Sequence, residues 1–522
     1  MTTTRANIQE VLSGLEGLGQ ATGNTRPAVD PGKRYNAASG LEEAIHRAAT
    51  TADYDAWLDH TASAAGCSRP IQLRGESHIV SERTGRIIST RHTDDMPDGV
   101  IYKACGNRRA AVCPSCAETY RGDTYQLVLA GLTGGKGIPA SVRQHPCAFV
   151  TFTAPSFGPV HSARKTRGRD GQLRNQICRP RRKPDPCPHG IDQRCSQVHR
   201  DGEKILGTPL CLDCYDHDHQ VVWNALSGEL WRRTMERAKD TLRSWAKKHR
   251  VTLKLSYGKV AEMQSRGVAH FHALLRLDGT NPLDPGLLVV PHLAADFTLL
   301  AAAVRHAVET TRFRSLPHPD KPDGWLIHWG QQLDVKPVRQ AVDGVITETA
   351  VAGYLAKYAT KGAEATGHSS ARLTNATVNR YATEHTHAGR LVDACWRLGR
   401  PGSDLDPGQA AKNSGRLSYK RLRLWAHMLG FGGHFSTKSR QYSTTLKALR
   451  EARANWRRER HRTAEHTGDT ETTLIVGNFT YANTGWRTIG DALLASTAAA
   501  KAREHRRIAR DEIEALSLED PS

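Results

Sequence analysis

Residues 253–278 read LKLSYGKVAEMQSRGVAHFHALLRLD and contain the most informative pattern in the sequence. Two strand-like runs lie on either side of an Arg-Gly dipeptide, so the stretch predicts an antiparallel β-hairpin. Residues i and i+2 of a strand face the same side, which places His270 and His272 on one face and turns Phe271 towards the core. On the preceding strand, Glu262 lies opposite this histidine pair across the turn. The hairpin therefore gathers a carboxylate and two imidazoles on one surface.

The histidine pair is a candidate metal site. A carboxylate and two imidazoles that leave coordination positions open suit Mg²⁺ or Mn²⁺, so Glu262, His270 and His272 are the predicted ligands. A His-x-His motif alone is a weak signal, because a chain with 25 histidines contains about one by chance. This chain has three such motifs, and only the middle one has strand-forming residues on both sides. The alternative is that the two histidines only pack within a sheet.

Strands and helices follow one another around the hairpin. Residues 146–154, PCAFVTFTA, predict a buried strand, because β-branched and aromatic side chains succeed one another up to Pro155. Apolar residues recur at helical spacing from about residue 220 to residue 250. Asp296 is a suitable N-cap for a further helix, and another helix begins near Thr349. This mixture of elements predicts an α+β fold.

The helix that begins near Thr349 carries two tyrosines that are candidate nucleophiles. Tyr354 and Tyr358 lie four residues apart, so their phenols project from one face of the helix about one turn apart. Lys357 and Lys361 each follow a tyrosine by three residues, near enough to hold a phosphate or to favour a phenolate. A tyrosine hydroxyl becomes a useful nucleophile where a metal ion or a lysine lowers the cost of its negative charge. The alternative is that both rings are core residues of an amphipathic helix.

The cysteines cluster in a way that favours metal sites over disulfides. Of the 11 cysteines, all but Cys395 lie between Cys67 and Cys214, and a chain without an export signal keeps its thiols reduced. A Cys-x2-Cys knuckle places two thiolates on one turn, where both can bind a tetrahedral ion, and closed sites of this kind hold loop-rich modules together. One or two structural zinc ions are therefore expected. The predicted ligands are Cys67, Cys105, Cys113 and Cys116 in the first set, and Cys187, Cys195, Cys211 and Cys214 in the second, with His199 as the first substitute.

The composition indicates a polyanionic partner. The 522 residues include 73 Lys and Arg against 53 Asp and Glu, a formal net charge of +20, and nine basic residues with one acidic residue lie between Arg164 and Lys183. Nucleic acid is the expected partner of such an excess. No apolar run approaches the ~20 residues of a membrane span, and the N-terminus lacks the hydrophobic core of a signal peptide. Membrane and secreted proteins are thereby excluded, and a cytoplasmic location is expected.

Taken in order, these motifs resemble those of the HUH superfamily of rolling-circle replication initiators. The segments VTFTAPS, GVAHFHALL and GYLAKYATKG are similar to the three motifs of that superfamily. The paired tyrosines resemble those of the gene A proteins of small single-stranded DNA phages. The cysteine-rich CPSC and CPHG…CLDC segments are similar to the replication initiators of actinomycete plasmids and integrative conjugative elements. The resemblance covers roughly residues 67 to 435.

The resemblance implies an HUH endonuclease-type antiparallel sheet flanked by helices, with zinc-binding, loop-rich modules and a helical, basic C-terminal region. The expected order is a polar, partly disordered N-terminus, a module with the first cysteine cluster, the nuclease domain, a basic DNA-binding extension and a C-terminal helical tail. Their expected bounds are 1–60, 61–145, 146–365, 366–465 and 466–522, with a second zinc insert at about 156–220.

The resemblance also implies the reaction and its metal. His270 and His272 match the metal-binding histidines, Glu262 occupies the position of the third ligand, and Tyr354 and Tyr358 match the nucleophiles. A phenolate attacks one phosphodiester of the origin, which leaves a 5′-phosphotyrosine and a free 3′-OH that primes rolling-circle replication, and the strand is later rejoined. Many members of the superfamily use a single tyrosine, and Tyr354 is then the favoured nucleophile.

Two other functions fit parts of the sequence. A two-tyrosine HUH transposase would use nearly the same chemistry on another DNA substrate. A zinc-containing DNA-binding regulator would explain the cysteines and the charge without catalysis. The Gly-Lys of GLTGGKGIP lacks the Ser or Thr of a P-loop, and no other such motif occurs, so unwinding is expected from a host helicase that acts with the host replication machinery.

The segment 416–462 is the predicted surface for double-stranded origin DNA, because it is basic and lies outside the catalytic motifs. Aromatic side chains such as Tyr442 and Trp456 are expected to stack on single-stranded DNA. The alternative is a solvated basic face without specificity. The residues predicted to contact DNA are Lys438, Arg440, Arg450, Arg453, Arg457 and Arg458.

Overall fold

The computed structural model describes residues 37–50, 54–338 except 282 and 285, 347–360, 372–405, 408, 417–465 and 473–519. The chain divides into two units, one made of residues 1–120 together with 452–522 and the other of residues 121–451. The histidine hairpin belongs to the second unit, and the first predicted cysteine set belongs to the first unit.

The regular elements of the described residues are numbered in chain order. The strands are β1 (Ile71–Ser81), β2 (Ile87–His92), β3 (Ile101–Lys103), β4 (Cys147–Phe152), β5 (Arg164–Arg167), β6 (Leu173–Gln176), β7 (Leu253–Met263), β8 (Ala269–Thr280), β9 (Leu288–Val289), β10 (Arg312–Arg314), β11 (Leu326–His328), β12 (Leu333–Pro337), β13 (Ser436–Lys438) and β14 (Thr473–Thr484). The helices are α1 (Ala37–Thr50), α2 (Tyr54–Thr61), α3 (Pro114–Thr133), α4 (His217–Lys248), α5 (Phe297–Thr310), α6 (Glu348–Ala359), α7 (His387–Leu398), α8 (Lys420–Leu424), α9 (Leu446–Glu465) and α10 (Ile489–Glu519). Within the described part of the chain, none of these helices combines the length and the apolar character that crossing a membrane requires.

The larger sheet is antiparallel and has the strand order β12-β4-β8-β7-β13, with β9 paired to one end of β8. Its centre is the predicted hairpin, in which β7 and β8 pair from Leu253 opposite Gly279 to Met263 opposite Ala269. Gly267 turns the chain with a φ of +74°, a left-handed conformation that glycine adopts without strain. The predicted strand of residues 146–154 is present as β4. The expectation of antiparallel sheets combined with helices is therefore confirmed.

One face of this sheet forms the hydrophobic core with α4 and α5. Phe271 is fully buried, and its ring centroid lies 6.2 Å from that of Trp231 on α4. The predicted N-cap of α5 is present, since the Asp296 side chain accepts a hydrogen bond from the amide of Leu299. The aromatic core covers one face of β7 and β8, and α6 packs against β7.

The first unit joins two distant parts of the chain in a second antiparallel sheet, with the order β14-β1-β2 and β3 also paired to β1. The strands β1 and β14 pair over their whole length, from Ile71 opposite Thr484 to Ser81 opposite Thr473. Beside this sheet, α1 packs against α10, with Ala44 and Leu494 buried between them.

The structure divides the chain differently from the expected domain bounds. The segment 466–522, expected to be a helical tail, also supplies β14, and its helix α10 buries Leu494 and Ala495. Within the expected polar segment 1–60, the described residues form α1 and most of α2, while residues 1–36 lie outside the described part. Strand pairing between the two ends of a chain leaves no local sequence pattern, which explains the difference.

Replacement of Phe271 by Ala should lower the free energy of unfolding by about 3–5 kcal/mol, because a fully buried aromatic side chain leaves a cavity that the surrounding rings cannot fill. The measurement is chemical denaturation followed by tryptophan fluorescence. Leu173→Ala, at a side chain that is 64% exposed, should change the value by less than about 0.5 kcal/mol. Equal effects of the two substitutions would contradict this packing.

Candidate active site and metal centres

The β7–β8 hairpin places the predicted metal ligands side by side. Its register sets Glu262 opposite His270, and Val260 opposite His272. The Oε2 atom of Glu262 lies 3.3 Å from Nε2 of His272, and the two imidazole centroids are 4.7 Å apart. Both histidines are buried, and Phe271 between them belongs to the core on the other face. The structure thus brings together the three side chains that the sequence proposes as a set.

Neighbouring polar groups hold the two imidazoles in place. The Nδ1 atom of His272 lies 3.2 Å from the Thr151 hydroxyl, and Nδ1 of His270 lies 3.3 Å from Nε2 of Gln264. Burial, with smaller contributions from His272 and Arg266, lowers the pKa of His270 to about 3. At neutral pH this imidazole is therefore uncharged, which is the form that binds metal ions.

The helix α6 carries both tyrosines to the same place. Its first turn is capped by Thr347, whose hydroxyl accepts a hydrogen bond from the amide of Ala350. The Tyr354 hydroxyl lies 3.5 Å from Nε2 of His272, and the ring centroids of Tyr354 and Tyr358 are 4.5 Å apart. The Tyr358 centroid lies 5.7 Å from that of His272. Both phenols therefore lie beside the histidine that contacts Glu262.

The Tyr354 phenol is neutral in this environment. Burial raises its pKa above the ordinary value, and a hydrogen bond with Tyr358 and the charge of Glu262 act in the same direction. The ring is nevertheless 39% exposed, so it can be reached from solvent. Formation of the phenolate consequently requires a positive charge nearby. Lys357 is exposed on the same helix, and Lys361 lies outside the described residues.

The other two His-x-His motifs have a different environment. One histidine of each, His217 and His387, meets the other in a buried pair with 3.1 Å between Nε2 and Nδ1. Burial lowers the pKa of His217 to about 3 and that of His387 to about 4. The Nε2 atom of His387 also lies 2.9 Å from the backbone carbonyl of Arg266. Both rings also pack against Tyr215, with 4.9 Å between centroids, and the hydroxyl of that tyrosine donates to Gln220. Of the three motifs, only the middle one therefore meets the two tyrosines of α6.

The first predicted cysteine set comes together as a group. The Sγ atoms of Cys105 and Cys116 are 3.7 Å apart, and those of Cys67 and Cys113 are 3.9 Å apart. Two sulfur ligands of one tetrahedral zinc ion, each bound at about 2.3 Å, are about 3.8 Å apart. The backbone amide of Ser68 donates to Cys113 Sγ, as expected near a thiolate. All four sulfurs lie within 4.8 Å of one another, so this cluster could hold zinc.

The second predicted set is divided by the structure. Cys187, Cys211 and Cys214 gather with His189, whose Nδ1 atom lies 3.2 Å from Cys214 Sγ, and all four ligand atoms lie within 4.8 Å of one another. Cys195 is not part of this group. It lies with His199, the predicted substitute, in a separate cluster that also contains His161 and Cys178. His189 could have been found from the Cys-x-His spacing of CPHG. No such spacing to a neighbouring ligand marks His161 or Cys178 in the sequence.

His270, His272 and Glu262 are less tightly gathered than these clusters. Among the described residues, only the three cysteine-containing groups have at least three ligand atoms all within 4.8 Å of one another. The spacing of these three side chains thus differs from that of the cysteine clusters.

The residues predicted to contact DNA differ in their environments. The ammonium of Lys438 donates to the backbone carbonyls of Ser439 and Arg440 at 3.3 and 3.2 Å, and burial lowers its pKa. Arg450 lies 3.6 Å from the buried Asp123 carboxylate. Arg440 and Arg453 are exposed. The side chains of the remaining two, Arg457 and Arg458, lie outside the described part of the chain.

The prediction that Tyr442 stacks on DNA bases is wrong. Its ring is fully buried, and the hydroxyl donates to the carbonyl of Val128. The ring packs where Gly131 and Gly258 leave room, since a Cβ at either glycine would come within 3 Å of it. Tyr442 is therefore a core residue. The side chain of Trp456 lies outside the described residues.

Comparison with known proteins identifies the class of this chain as a replication initiator. The family model described as "Replication initiator protein, pSAM2" matches residues 53–500. A replication initiator protein of Streptomyces ambofaciens is 40% identical over 477 residues, which cover 90% of this chain and 94% of that protein. The chain belongs to the family of the pSAM2 replication initiator protein. No solved structure matches it.

Removal of zinc should lower the melting temperature of the protein by about 5 °C or more, because metal binding to a folded cluster contributes free energy of folding. The measurement is thermal unfolding with a zinc-selective chelator in excess Mg²⁺, beside untreated protein. A Cys113→Ser/Cys116→Ser variant should begin lower and shift less. Complete loss of zinc with an unchanged melting temperature would contradict a structural role.

Proposed function

We propose that this replication initiator nicks one strand of its origin by metal-dependent transesterification at tyrosine, in the manner of HUH endonucleases. The observation that carries the proposal is the 3.5 Å distance between the Tyr354 hydroxyl and Nε2 of His272, on a hairpin that also presents Glu262. A structural role alone gives no reason for a tyrosine that is 39% exposed to place its hydroxyl beside a buried imidazole that also contacts a carboxylate.

His270, His272 and Glu262 are the residues that would hold Mg²⁺ or Mn²⁺. When bound, such an ion supplies positive charge to the scissile phosphate and lowers the cost of a phenolate. The uncharged His270 and the carboxylate of Glu262 suit a hard divalent cation. The contact between Thr151 and His272 keeps the second imidazole in one orientation.

Tyr354 is the first nucleophile. Its phenol loses a proton to solvent, and Oη attacks phosphorus in line with the bond to the 3′ oxygen. The new bond is a 5′-phosphotyrosine, and the bond that breaks releases a free 3′-OH, which takes up a proton and primes synthesis. Positioning and charge neutralisation supply most of the rate of such a transfer.

Rejoining reverses these bonds without ATP, because the phosphotyrosine retains the energy of the phosphodiester. A 3′-OH attacks the phosphotyrosine and releases the phenol. Tyr358, whose ring centroid lies 4.5 Å from that of Tyr354, is placed to receive a second 5′ end in alternation. Lys357 and Lys361 are proposed to hold the scissile phosphate, and a host helicase is proposed to supply unwinding.

The proposed partners are single-stranded DNA at the nick and double-stranded origin DNA around it. Structural zinc is proposed for the cysteine groups that contain Cys67 and Cys187, in which no position stays open for a substrate. A two-tyrosine transposase would use the same residues on the ends of a mobile element. A regulator would bind the same origin DNA without forming any covalent product.

The test is incubation of the protein with single-stranded oligonucleotides that tile the origin region, with Mn²⁺ or without free divalent ions. A 3′-labelled fragment should become attached to the protein, and a 5′-labelled fragment should shorten and stay free. Tyr354→Phe/Tyr358→Phe should abolish the adduct, a loss of at least about 1,000-fold, because no second nucleophile remains. Each single variant then reports whether one tyrosine suffices.

The matched control is Tyr481→Phe, at a tyrosine that is 65% exposed and lies in the first unit, and it should retain full activity. His270→Ala/His272→Ala should abolish the adduct while DNA binding remains, whereas His306→Ala on α5 should change neither. Tight binding without an adduct, over all oligonucleotides and both metal ions, would favour the regulator. Adducts with transposon ends but not with origin DNA would favour the transposase.

A further inference from the structure

The insert between β4 and α4 contains a four-residue cluster that the sequence patterns do not group. His161, Cys178, Cys195 and His199 bring their ligand atoms within 4.8 Å of one another. The Nδ1 atom of His161 lies 3.2 Å from Nε2 of His199, which lies 3.3 Å from Cys195 Sγ. We propose that these four side chains bind a third zinc ion, separate from the ions of the other two cysteine groups.

The distances fit a tetrahedral ion. Two nitrogen ligands at about 2.0–2.1 Å from zinc are about 3.3 Å apart, and a nitrogen and a sulfur ligand are about 3.6 Å apart. The observed separations of 3.2 Å between His161 and His199, and of 3.3 Å between His199 and Cys195, agree with these values. Two thiolates with two imidazoles form a donor set that selects zinc.

The surroundings of the cluster orient its ligands as a metal site requires. The His199 Nδ1 atom lies 3.0 Å from Oε2 of Glu203, so that a carboxylate fixes the ring and leaves Nε2 free as a donor to the ion. The backbone amide of Ser162 donates to Cys178 Sγ at 3.2 Å, which stabilises a thiolate. Cys178, Cys195 and His199 are all buried.

The insert also needs a metal because it lacks an apolar core of its own. Phe157 and Tyr215, near its two ends, pack in the core of the sheet. Between them, five large apolar side chains are exposed by 41–64% of their surface, namely Leu173, Ile177, Ile191, Val198 and Ile205. Its regular structure is confined to the short β5–β6 pair and isolated bridges. A segment that buries so little apolar surface is stable only with a substitute for the core, and metal ions are such a substitute.

The test is the zinc content of the purified full-length protein, measured by mass spectrometry of the metal against protein concentration. Wild type should contain about three zinc ions per chain, and Cys178→Ser should contain about two. Cys178→His should restore the third ion, because it replaces one ligand by another, and His306→Ala should leave all three. A wild type that holds only two ions, with no loss in Cys178→Ser, would overturn the proposal.

A second proposal rests on a different observation, a cavity of about 620 Å³ in the same insert. Half of its eight lining residues are arginines, namely Arg179, Arg181, Arg182 and Arg194, and Asp192 is the single acidic residue among the others. Arg194 pairs with Asp192 at 2.6 Å, and Arg181 pairs with Asp185. We infer that this arginine cavity binds a phosphate of the DNA backbone, an inference that rests on the proposed function.

The backbone of the insert holds the cavity in shape. Arg179 follows Cys178 directly and Arg194 precedes Cys195, so two walls of the cavity adjoin two ligands of the proposed ion. The amide of Arg179 donates to the carbonyl of Cys195 at 3.0 Å, and the amide of Cys195 donates back at 3.3 Å. Guanidinium groups bind phosphate oxygens in a bidentate fork, and a rigid frame lets several of them act on one phosphate.

The test is equilibrium binding of a labelled origin oligonucleotide over a series of salt concentrations, in the Tyr354→Phe/Tyr358→Phe background so that no adduct forms. Arg179→Ala/Arg182→Ala should weaken binding about tenfold and reduce the slope of log affinity against log salt by about 1–2. Arg237→Ala/Lys247→Ala, which removes the same charge from the exposed face of α4, should leave the slope within about 0.5 of its starting value.

Equal slopes in the two charge variants would overturn the cavity as a phosphate site. That outcome is distinct from failure of the proposed function, which is read from adduct formation by the protein with both tyrosines. Zinc content is measured on the same preparations. An arginine variant that has lost zinc while losing affinity would also overturn direct binding, because the loss of structure would then explain the loss of affinity.

Discussion

The antiparallel register of β7 on β8 is the constraint on which the site depends. It pairs Glu262 with His270 and Val260 with His272, so that the carboxylate and both imidazoles share one face of the sheet. Side chains alternate at every residue of a strand, so a slip of one position would move both histidines into the aromatic core and expose Phe271. The burial of Phe271 against the helices therefore fixes where the histidines lie, and packing on one face determines the chemistry that is available on the other.

The same register imposes a cost on the core side of the sheet. It directs Lys259 inwards, where the ammonium lies 4.1 Å from the ring centroid of Phe271 and 5.2 Å from that of Trp231. Burial lowers the pKa of Lys259 to about 7. Cation–π attraction offsets part of the desolvation. The register retains this lysine because a shift of β7 by one residue, which would expose Lys259, would also turn Glu262 away from the face of the histidines.

The sequence predicts those parts of the structure that depend on neighbours in the chain. Three predicted features depend only on residues that are close in sequence, and all three are present in the structure. They are the hairpin, the Asp296 cap and the helix with Tyr354 and Tyr358. By contrast, the tertiary fold determines which strands pair and which cysteines and histidines come together. The pairing of β1 with β14 joins the two ends of the protein, and Cys178 meets Cys195 only because the loops fold back, so neither contact has a local signal.

Two parts of the second unit, the larger sheet and the insert between β4 and α4, are stabilised in different ways. This difference explains why the sequence predicts the structure of the sheet better than that of the insert. The sheet buries an aromatic layer that includes Phe271, and such a layer imposes a periodic pattern on the sequence. The insert has no such layer, so nothing periodic marks it. A module that metal ions stabilise does not need an apolar core, so most of its side chains can be polar and exposed. Nine basic residues lie between Arg164 and Lys183, and so short a segment could not also supply the apolar side chains of a core. We therefore propose that the metal clusters and the excess positive charge act together: the ions stabilise the fold of the insert, and its exposed arginines contact DNA.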